Sequence, residues 1–217
     1  MEKPLLLLNL FMEGMQKKDE KAAAQYRQEI VQLELDSEAA VIAKYRLGFH
    51  TLYQEKKLDE AIAIFKEVAA CGIHCDDFFQ SQITYAICLW SKGKHELAIF
   101  ELRKMLSQVK PQTIHEVLGL DYLSIFLRDT NAPQQEITKL NGQRINSLNA
   151  LLQNEKDVEA QAPLQLELAA ALEERGQPGD LEQARQTLQK VINKSSSTNK
   201  SIASAAQTAL QQLNKTK

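Results

Sequence analysis

Residues 85–105 read YAICLWSKGKHELAIFELRKM, and this stretch decides the fold. Apolar side chains recur every three or four positions on both sides of Gly93, which is typical of two helices joined by a short turn. Ala86 lies in the first helix, and Ala98 lies in the second with apolar residues at +4 and +7. Two antiparallel helices that cross closely need a small residue at the crossing. The stretch therefore predicts a helical hairpin.

The same arrangement recurs before and after this stretch. Ala61 and Ala184 follow turns in the way that Ala98 does, and each has apolar residues at +4 and +7. The helices that precede them carry small residues at Gly48 and Ala169. The repeats are uneven, because one extra residue precedes Ala61 and three extra residues stand within 163–191. A helical hairpin that recurs along the sequence predicts an array of stacked hairpins.

These residues resemble the tetratricopeptide (TPR) repeat over roughly residues 40–194. The resemblance implies an all-α fold, a right-handed α-α superhelix of about five helical hairpins with a C-terminal capping helix. A different α-α array and a compact helical bundle are the alternative folds. The segment 113–154 departs from the pattern, because it lacks a clear small residue in its second helix, and Lys56-Lys57 stand where the family favours glycine.

Helical periodicity predicts eleven helices, at residues 4–17, 19–35, 37–55, 58–70, 77–91, 94–108, 113–128, 134–154, 157–175, 181–194 and 201–214. Pro163 falls inside the ninth, which leaves open that this helix begins there. We expect N-terminal capping helices over 1–36, TPR-like repeats over 37–194, and a C-terminal helix with a basic tail over 199–217. Residues 195–198 read SSST and predict a flexible linker.

Composition excludes several classes of protein. The chain has 217 residues, of which 44% are hydrophobic and 25% charged, as in ordinary globular domains. A net charge of −2 argues against binding to a nucleic-acid backbone. No stretch approaches the ~18 apolar residues of a membrane span. Three cysteines make no disulfide framework, so we predict a reducing, cytoplasmic location.

The chain carries no recognisable catalytic or nucleotide-binding motif. Metal-ligand residue types cluster once, at Cys71, His74, Cys75, Asp76 and Asp77. Ligands crowded into seven residues give poor geometry, and the second pair of a usual zinc site is missing. We interpret this segment as a loop between repeats, and we predict no metal, no cofactor and no enzymatic activity.

In the TPR family the first helix of each hairpin lines a concave face. The resemblance places six candidate partner-binding residues there: Tyr45, Phe49, Tyr53, Ile83, Ile87 and Trp90. Tyr45 and Phe49 stand where the family's clamp for peptide carboxylates needs Lys and Asn, so binding of chaperone tails is not implied. In the later hairpin of 163–191, the concave positions include Ala170, Glu173 and Glu174. An apolar, aromatic groove suits an apolar or amphipathic segment of a protein partner.

These observations predict a non-catalytic adaptor or scaffold for protein–protein interaction. A secretion-type chaperone is a close variant. A structural homodimer assembled through the apolar first helix is an alternative, and an enzyme on a helical-repeat scaffold is disfavoured. The Leu-rich first helix has two predicted positions: it fills the groove, or it packs under the next two helices as a cap.

Overall fold

The computed structural model describes residues 2–195 and 199–215. All regular structure in that part of the chain is α-helical, and eleven helices follow one another: α1 Lys3–Gln16, α2 Glu20–Val31, α3 Glu38–Tyr53, α4 Leu58–Ala70, α5 Asp76–Ser91, α6 His95–Gln108, α7 Ile114–Asp129, α8 Gln134–Asn154, α9 Val158–Arg175, α10 Asp180–Ser195 and α11 Lys200–Leu213. The predicted all-α array is confirmed, and each predicted helix is present. Of the predicted linker, Ser195 is the last residue of α10 and residues 196–198 lie outside the described residues.

Side-chain caps fix several helix starts. The hydroxyl of Ser37 accepts a hydrogen bond from the Ala40 amide at the start of α3, and that of Thr113 accepts one from the Glu116 amide at the start of α7. The Glu116 carboxylate reaches back to the amide of Gln112 at 2.6 Å, close to the capping-box arrangement that its spacing predicts. The local sequence therefore determines where these helices begin.

The end of α2 differs from the prediction, whereas the start of α9 agrees with it. α2 ends at Val31, four residues before the predicted end, although Leu33 and Leu35 still pack against apolar neighbours. Residues 32–36 then connect α2 to Ser37, which caps α3. α9 begins at Val158 and not at Pro163, which lies exposed inside the helix and costs it one backbone donor.

The turn between α3 and α4 keeps the repeat geometry despite its unusual sequence. Lys56 adopts a left-handed backbone with φ 56°, and Gly93 adopts φ 73° in the turn between α5 and α6. A non-glycine residue is rarely found in this region. Lys56 therefore occupies the conformation for which the TPR pattern favours glycine.

The chain forms two compact units, unit 1 (Met1–Ser107) and unit 2 (Gln108–Lys217). In unit 1, α1 packs on α2 and α3, and α4 packs on both α3 and α5. Gly48 marks the crossing of α3 and α4, because a Cβ there would lie 2.7 Å from Cε1 of Phe65. Ala61 and Ala98 are fully buried, as their places in the repeat predict.

α1 and α2 form a hairpin with a close crossing of its own. A Cβ on Gly14 would lie 3.1 Å from the backbone nitrogen of Ala23. This hairpin packs on the next one through the core residues Leu7, Phe11, Ala23, Ile30, Ala43, Leu47 and Ile64. The N-terminal helices thus cover the end of the hairpin array in unit 1.

In unit 2 each helix from α7 to α11 packs on the next one along the chain. Its core is almost wholly aliphatic and includes Leu148, Leu168, Leu172, Leu188, Val191 and Leu213. Ala169 and Ala184, the predicted crossing residues, are buried within it. The stripes of Ala and Leu read from the sequence therefore form a continuous core in this unit.

Candidate protein-interaction surface

α3 and α5 lie side by side in unit 1. Each packs antiparallel to α4, so the two run parallel to each other. The hydroxyl of Tyr45 hydrogen-bonds to the side chain of Thr84, and Arg46 pairs with Asp77 at 3.3 Å. Both contacts join the middle of α3 to the part of α5 between Asp77 and Thr84.

Two of the predicted binding residues are buried. Tyr45 is 5% exposed and Ile83 is fully buried. The Tyr45 ring packs against Phe65, with ring centroids 6.0 Å apart, and burial raises the pKa of its hydroxyl. These two side chains therefore act within unit 1 and present almost no surface to a partner.

The other four predicted residues present surface, and we call them the aromatic patch: Phe49, Tyr53, Ile87 and Trp90. Phe49 and Tyr53 are 43% and 52% exposed, and their ring centroids lie 4.4 Å apart. Ile87 and Trp90 are half-buried, and helical spacing places them on one face of α5. Trp90 stacks on the ring of His95 with centroids 4.1 Å apart, which restricts its orientation.

Charged groups border the aromatic patch. Arg46 lies three residues before Phe49 on α3 and pairs with Asp77. At the other end, Lys92 pairs with Asp59 at 2.8 Å, across the start of α4 and the end of α5. An apolar centre with a polar rim is the usual composition of a protein-binding surface.

α1 packs under α2 and α3 and leaves the aromatic patch uncovered. Its buried residues are Leu7, Phe11 and Gly14, and the Phe11 ring meets His50 edge-on at 5.1 Å. Of the two positions predicted for this helix, the cap is the one observed. The opposite side of α1 leaves Leu6 and Met12 more than 40% exposed.

The cysteines have the properties of structural residues. All three are free, and burial raises the pKa of Cys75 and takes that of Cys88 to about 11. Both thiols therefore stay protonated and poorly nucleophilic at neutral pH. His74 stacks on Phe78 with centroids 4.9 Å apart. Within residues 2–195 and 199–215, no three His, Cys, Asp or Glu side chains group in a way that could hold a metal ion.

No helix in the described part of the chain has the length and apolar character needed to cross a membrane.

No protein-family model matches this sequence, and no curated protein sequence matches it. Solved structures do match its fold. A single-substitution variant of a Podosopora anserina protein, described as a kinesin light chain with nearly identical TPR-like repeats, is 15% identical with a TM-score of 0.59, and the match covers 92% of this chain and 99% of that one. The fold is that of the TPR-like repeat proteins.

PilW, a type IV pilus biogenesis factor, matches this chain with a TM-score of 0.55 at 15% identity. The match covers 96% of this chain and 83% of PilW. At such low identity the likeness concerns the fold alone. It confirms the resemblance to TPR repeats that the spacing of Gly48, Ala86 and Ala98 predicts, and it says nothing of which partner this chain binds.

Proposed function

We propose that this protein is a non-catalytic adaptor that binds an apolar or amphipathic segment of a protein partner on the aromatic patch. One observation carries the proposal: the rings of Phe49 and Tyr53 contact each other, with centroids 4.4 Å apart, and remain about half exposed on the first helix of a TPR-like hairpin. Aromatic side chains supply large contact area with little loss of side-chain entropy, so they often dominate protein interfaces.

The proposed mechanism is burial of these rings by the partner. A Phe or Tyr side chain buries about 150–250 Å² in full, so the exposed halves leave on the order of 100 Å² each. At about 25 cal/mol per Å², covering both rings contributes at most ~5 kcal/mol to binding. The ion pairs of Arg46 with Asp77 and Lys92 with Asp59 supply polar contacts at the rim.

Quantitative affinity capture from the native host tests this proposal. The bait is the full chain, compared with the double variant Phe49→Ser/Tyr53→Ser. Phe100→Ser is the matched control, because Phe100 is 59% exposed on α6 and lies outside the patch. We expect a partner retained by the wild type and the control and lost by the double variant. Equal capture by all three baits would refute the patch as the binding site.

A secretion-type chaperone would use the same patch to bind an aggregation-prone partner. A partner protein that stays soluble only in the presence of this chain would support the chaperone function. The free cysteines agree with a cytoplasmic location, which we retain as part of the proposal.

A homodimer through α1 is the second candidate, since Leu6, Met12 and Met15 are 41–43% exposed on this helix. Light scattering on the wild type and on Met12→Glu distinguishes the homodimer from the adaptor. A dimer that becomes a monomer in the variant favours assembly through α1, and a wild type that is monomeric at all concentrations rejects it.

A further inference from the structure

The two helices that carry the aromatic patch both begin with a carboxylate. Glu38 is the first residue of α3 and lies 11 residues before Phe49. Asp76 is the first residue of α5 and lies 11 residues before Ile87. Eleven residues make about three turns of an α-helix, so each carboxylate lies on the same side of its helix as the patch residue. Both acidic residues are exposed.

The beginnings of α3 and α5 lie close together in unit 1. Burial raises the pKa of Cys75, and the nearby charges of Glu38 and Asp77 raise it further. Asp77 also pairs with Arg46 of α3 at 3.3 Å. Leu35, in the connection before α3, packs on the same small apolar cluster as Cys75. The two helix starts therefore form one edge of unit 1.

This edge has an excess of negative charge, and we call it the acidic edge: Glu34, Asp36, Glu38, Asp76 and Asp77. The sequence has no lysine or arginine in residues 28–43 or 71–91. In the part of the chain that the structure describes, no cation pairs with Glu34, Asp36 or Glu38.

The positive charges near the acidic edge do not balance it. Arg46 is the cation that reaches the edge, through its pair with Asp77. The starts of α3 and α5 each add about half a positive charge from the helix dipole, which leaves about three negative charges in surplus. Such a surplus favours a cationic ligand over an anionic one.

The acidic edge and the aromatic patch together define the kind of segment that fits this face. We propose that the protein segment bound by the aromatic patch is basic and amphipathic, with apolar side chains over the patch and lysine or arginine over the acidic edge. This inference rests on the proposed function and adds the charge of the partner.

The distance between the two surfaces fixes the spacing within the partner segment. A rise of 1.5 Å per residue places the carboxylates of Glu38 and Asp76 about 16 Å from the patch residues along α3 and α5. The cations therefore lie at one end of the segment. They are about 11 residues from its apolar residues in a helical segment and about five in an extended one.

The two surfaces have different roles in binding. Covering the aromatic patch removes apolar area from water, which supplies most of the affinity. An exposed ion pair contributes less, but an acidic segment in the same place would be repelled. The acidic edge therefore selects the partner and fixes the direction in which its segment lies.

Selection from a random peptide library tests this inference on the full chain. The probes are displayed peptides of about 16 residues, which span about 24 Å as a helix. One selection uses the wild type and a parallel one uses Phe49→Ser/Tyr53→Ser, so that the peptides that depend on the patch are recognised. We expect these peptides to carry lysine and arginine in clear excess over aspartate and glutamate at one end.

Binding of a selected peptide, measured by fluorescence anisotropy, locates the charge. Glu38→Gln should raise its Kd about threefold, the effect of losing one exposed charge pair. Glu20→Gln is the matched control and should leave Kd unchanged, because Glu20 is likewise the first residue of its helix and follows a side-chain cap. Both variants lose a charge from a first turn, so an effect on helix stability would appear in both.

The outcomes distinguish this inference from the proposed function. Patch-dependent peptides without an excess of cations would overturn the inference and leave the adaptor proposal intact, and so would an equal Kd for Glu38→Gln and Glu20→Gln. A selection that enriches no patch-dependent peptide would overturn both.

Discussion

Gly48→Ala tests whether α3 and α4 cross where the repeat pattern places the crossing. An alanine Cβ at this position would lie 2.7 Å from Cε1 of Phe65, and 3.1 Å from both Cδ1 of Phe65 and Cγ2 of Ile64. Carbon atoms in contact prefer about 3.5–4.0 Å. Phe65 is fully buried, so its ring cannot swing into solvent, and the crossing must widen to accept the methyl group.

Two opposing effects set the size of the change. Overpacking a core costs about 1–3 kcal/mol, whereas alanine in place of glycine inside a helix gains about 1 kcal/mol. Gly142→Ala on α8 isolates the second effect, because its added Cβ would meet nothing within 4 Å. We therefore expect the free energy of unfolding of Gly142→Ala to exceed that of the wild type by about 1 kcal/mol. The free energy of unfolding of Gly48→Ala should be about 1–3 kcal/mol lower than that of Gly142→Ala.

Urea unfolding followed by circular dichroism measures both variants. A Phe65→Leu background supplies a further arm, since a smaller side chain at 65 should relieve the clash and make the Gly48→Ala change less costly. The reasoning is refuted if Gly48→Ala is as stable as Gly142→Ala, or if its cost is the same with Phe or Leu at position 65.

Three further predictions concern unit 2. Arg144→Met should destabilise unit 2 by about 3 kcal/mol at neutral pH. This is the lower end of the cost of breaking a buried ion pair, because the carboxylate partners of Arg144 stay partly solvated. A loss of stability below about 1 kcal/mol in urea unfolding would contradict this. The hydrogen-bonded guanidinium of Arg175 lowers the pKa of Asp180, so the stability from this carboxylate is fully present above its unfolded pKa of about 3.9 and is lost as the pH falls through the lower folded value. Asp180→Asn should therefore cost about 1.5–3 kcal/mol at pH 7 and progressively less as the pH falls through the folded pKa, and a cost that does not vary with pH in thermal melts would rule out the pairing. All thirteen aromatic residues (one Trp, five Tyr and seven Phe) lie at or before Phe126. Because large side chains bury more area, amide hydrogen exchange should be faster in residues 160–195 than in 40–106. Slower exchange in residues 160–195 would contradict this reasoning.

Much of the fold follows from local sequence. Apolar periodicity and capping residues such as Ser37 and Thr113 act within one or two turns, so they locate the helices without knowledge of the rest of the chain. Gly48 is predictable as well, since only a small residue fits a close crossing. Gly14 was accessible by the same reasoning, because it precedes the run of alanines around Ala23 in the next helix.

The candidate sites depend on tertiary contacts that the spacing of residues along the sequence does not reveal. Periodicity puts Tyr45 and Phe49 on the same face of α3, yet Tyr45 is buried against Phe65 and Thr84 while Phe49 stays exposed. Arg144 stands in a helix rich in Gln and Asn and looks like a surface residue. Asp121 lies 23 residues before it, and Glu167 and Glu174 lie 23 and 30 residues after it, so only the tertiary structure shows that it is buried.

Site-specific photo-cross-linking tests the central claim, that the aromatic patch binds a protein partner, most directly. A photoreactive phenylalanine analogue replaces Tyr53 in one version of the chain and Phe100 in another, and both are illuminated in the native host. Both positions are more than half exposed, so the label is equally accessible at each. We predict a discrete protein adduct from position 53 and none from position 100. Adducts of equal yield at both positions, or none at position 53, would contradict the account.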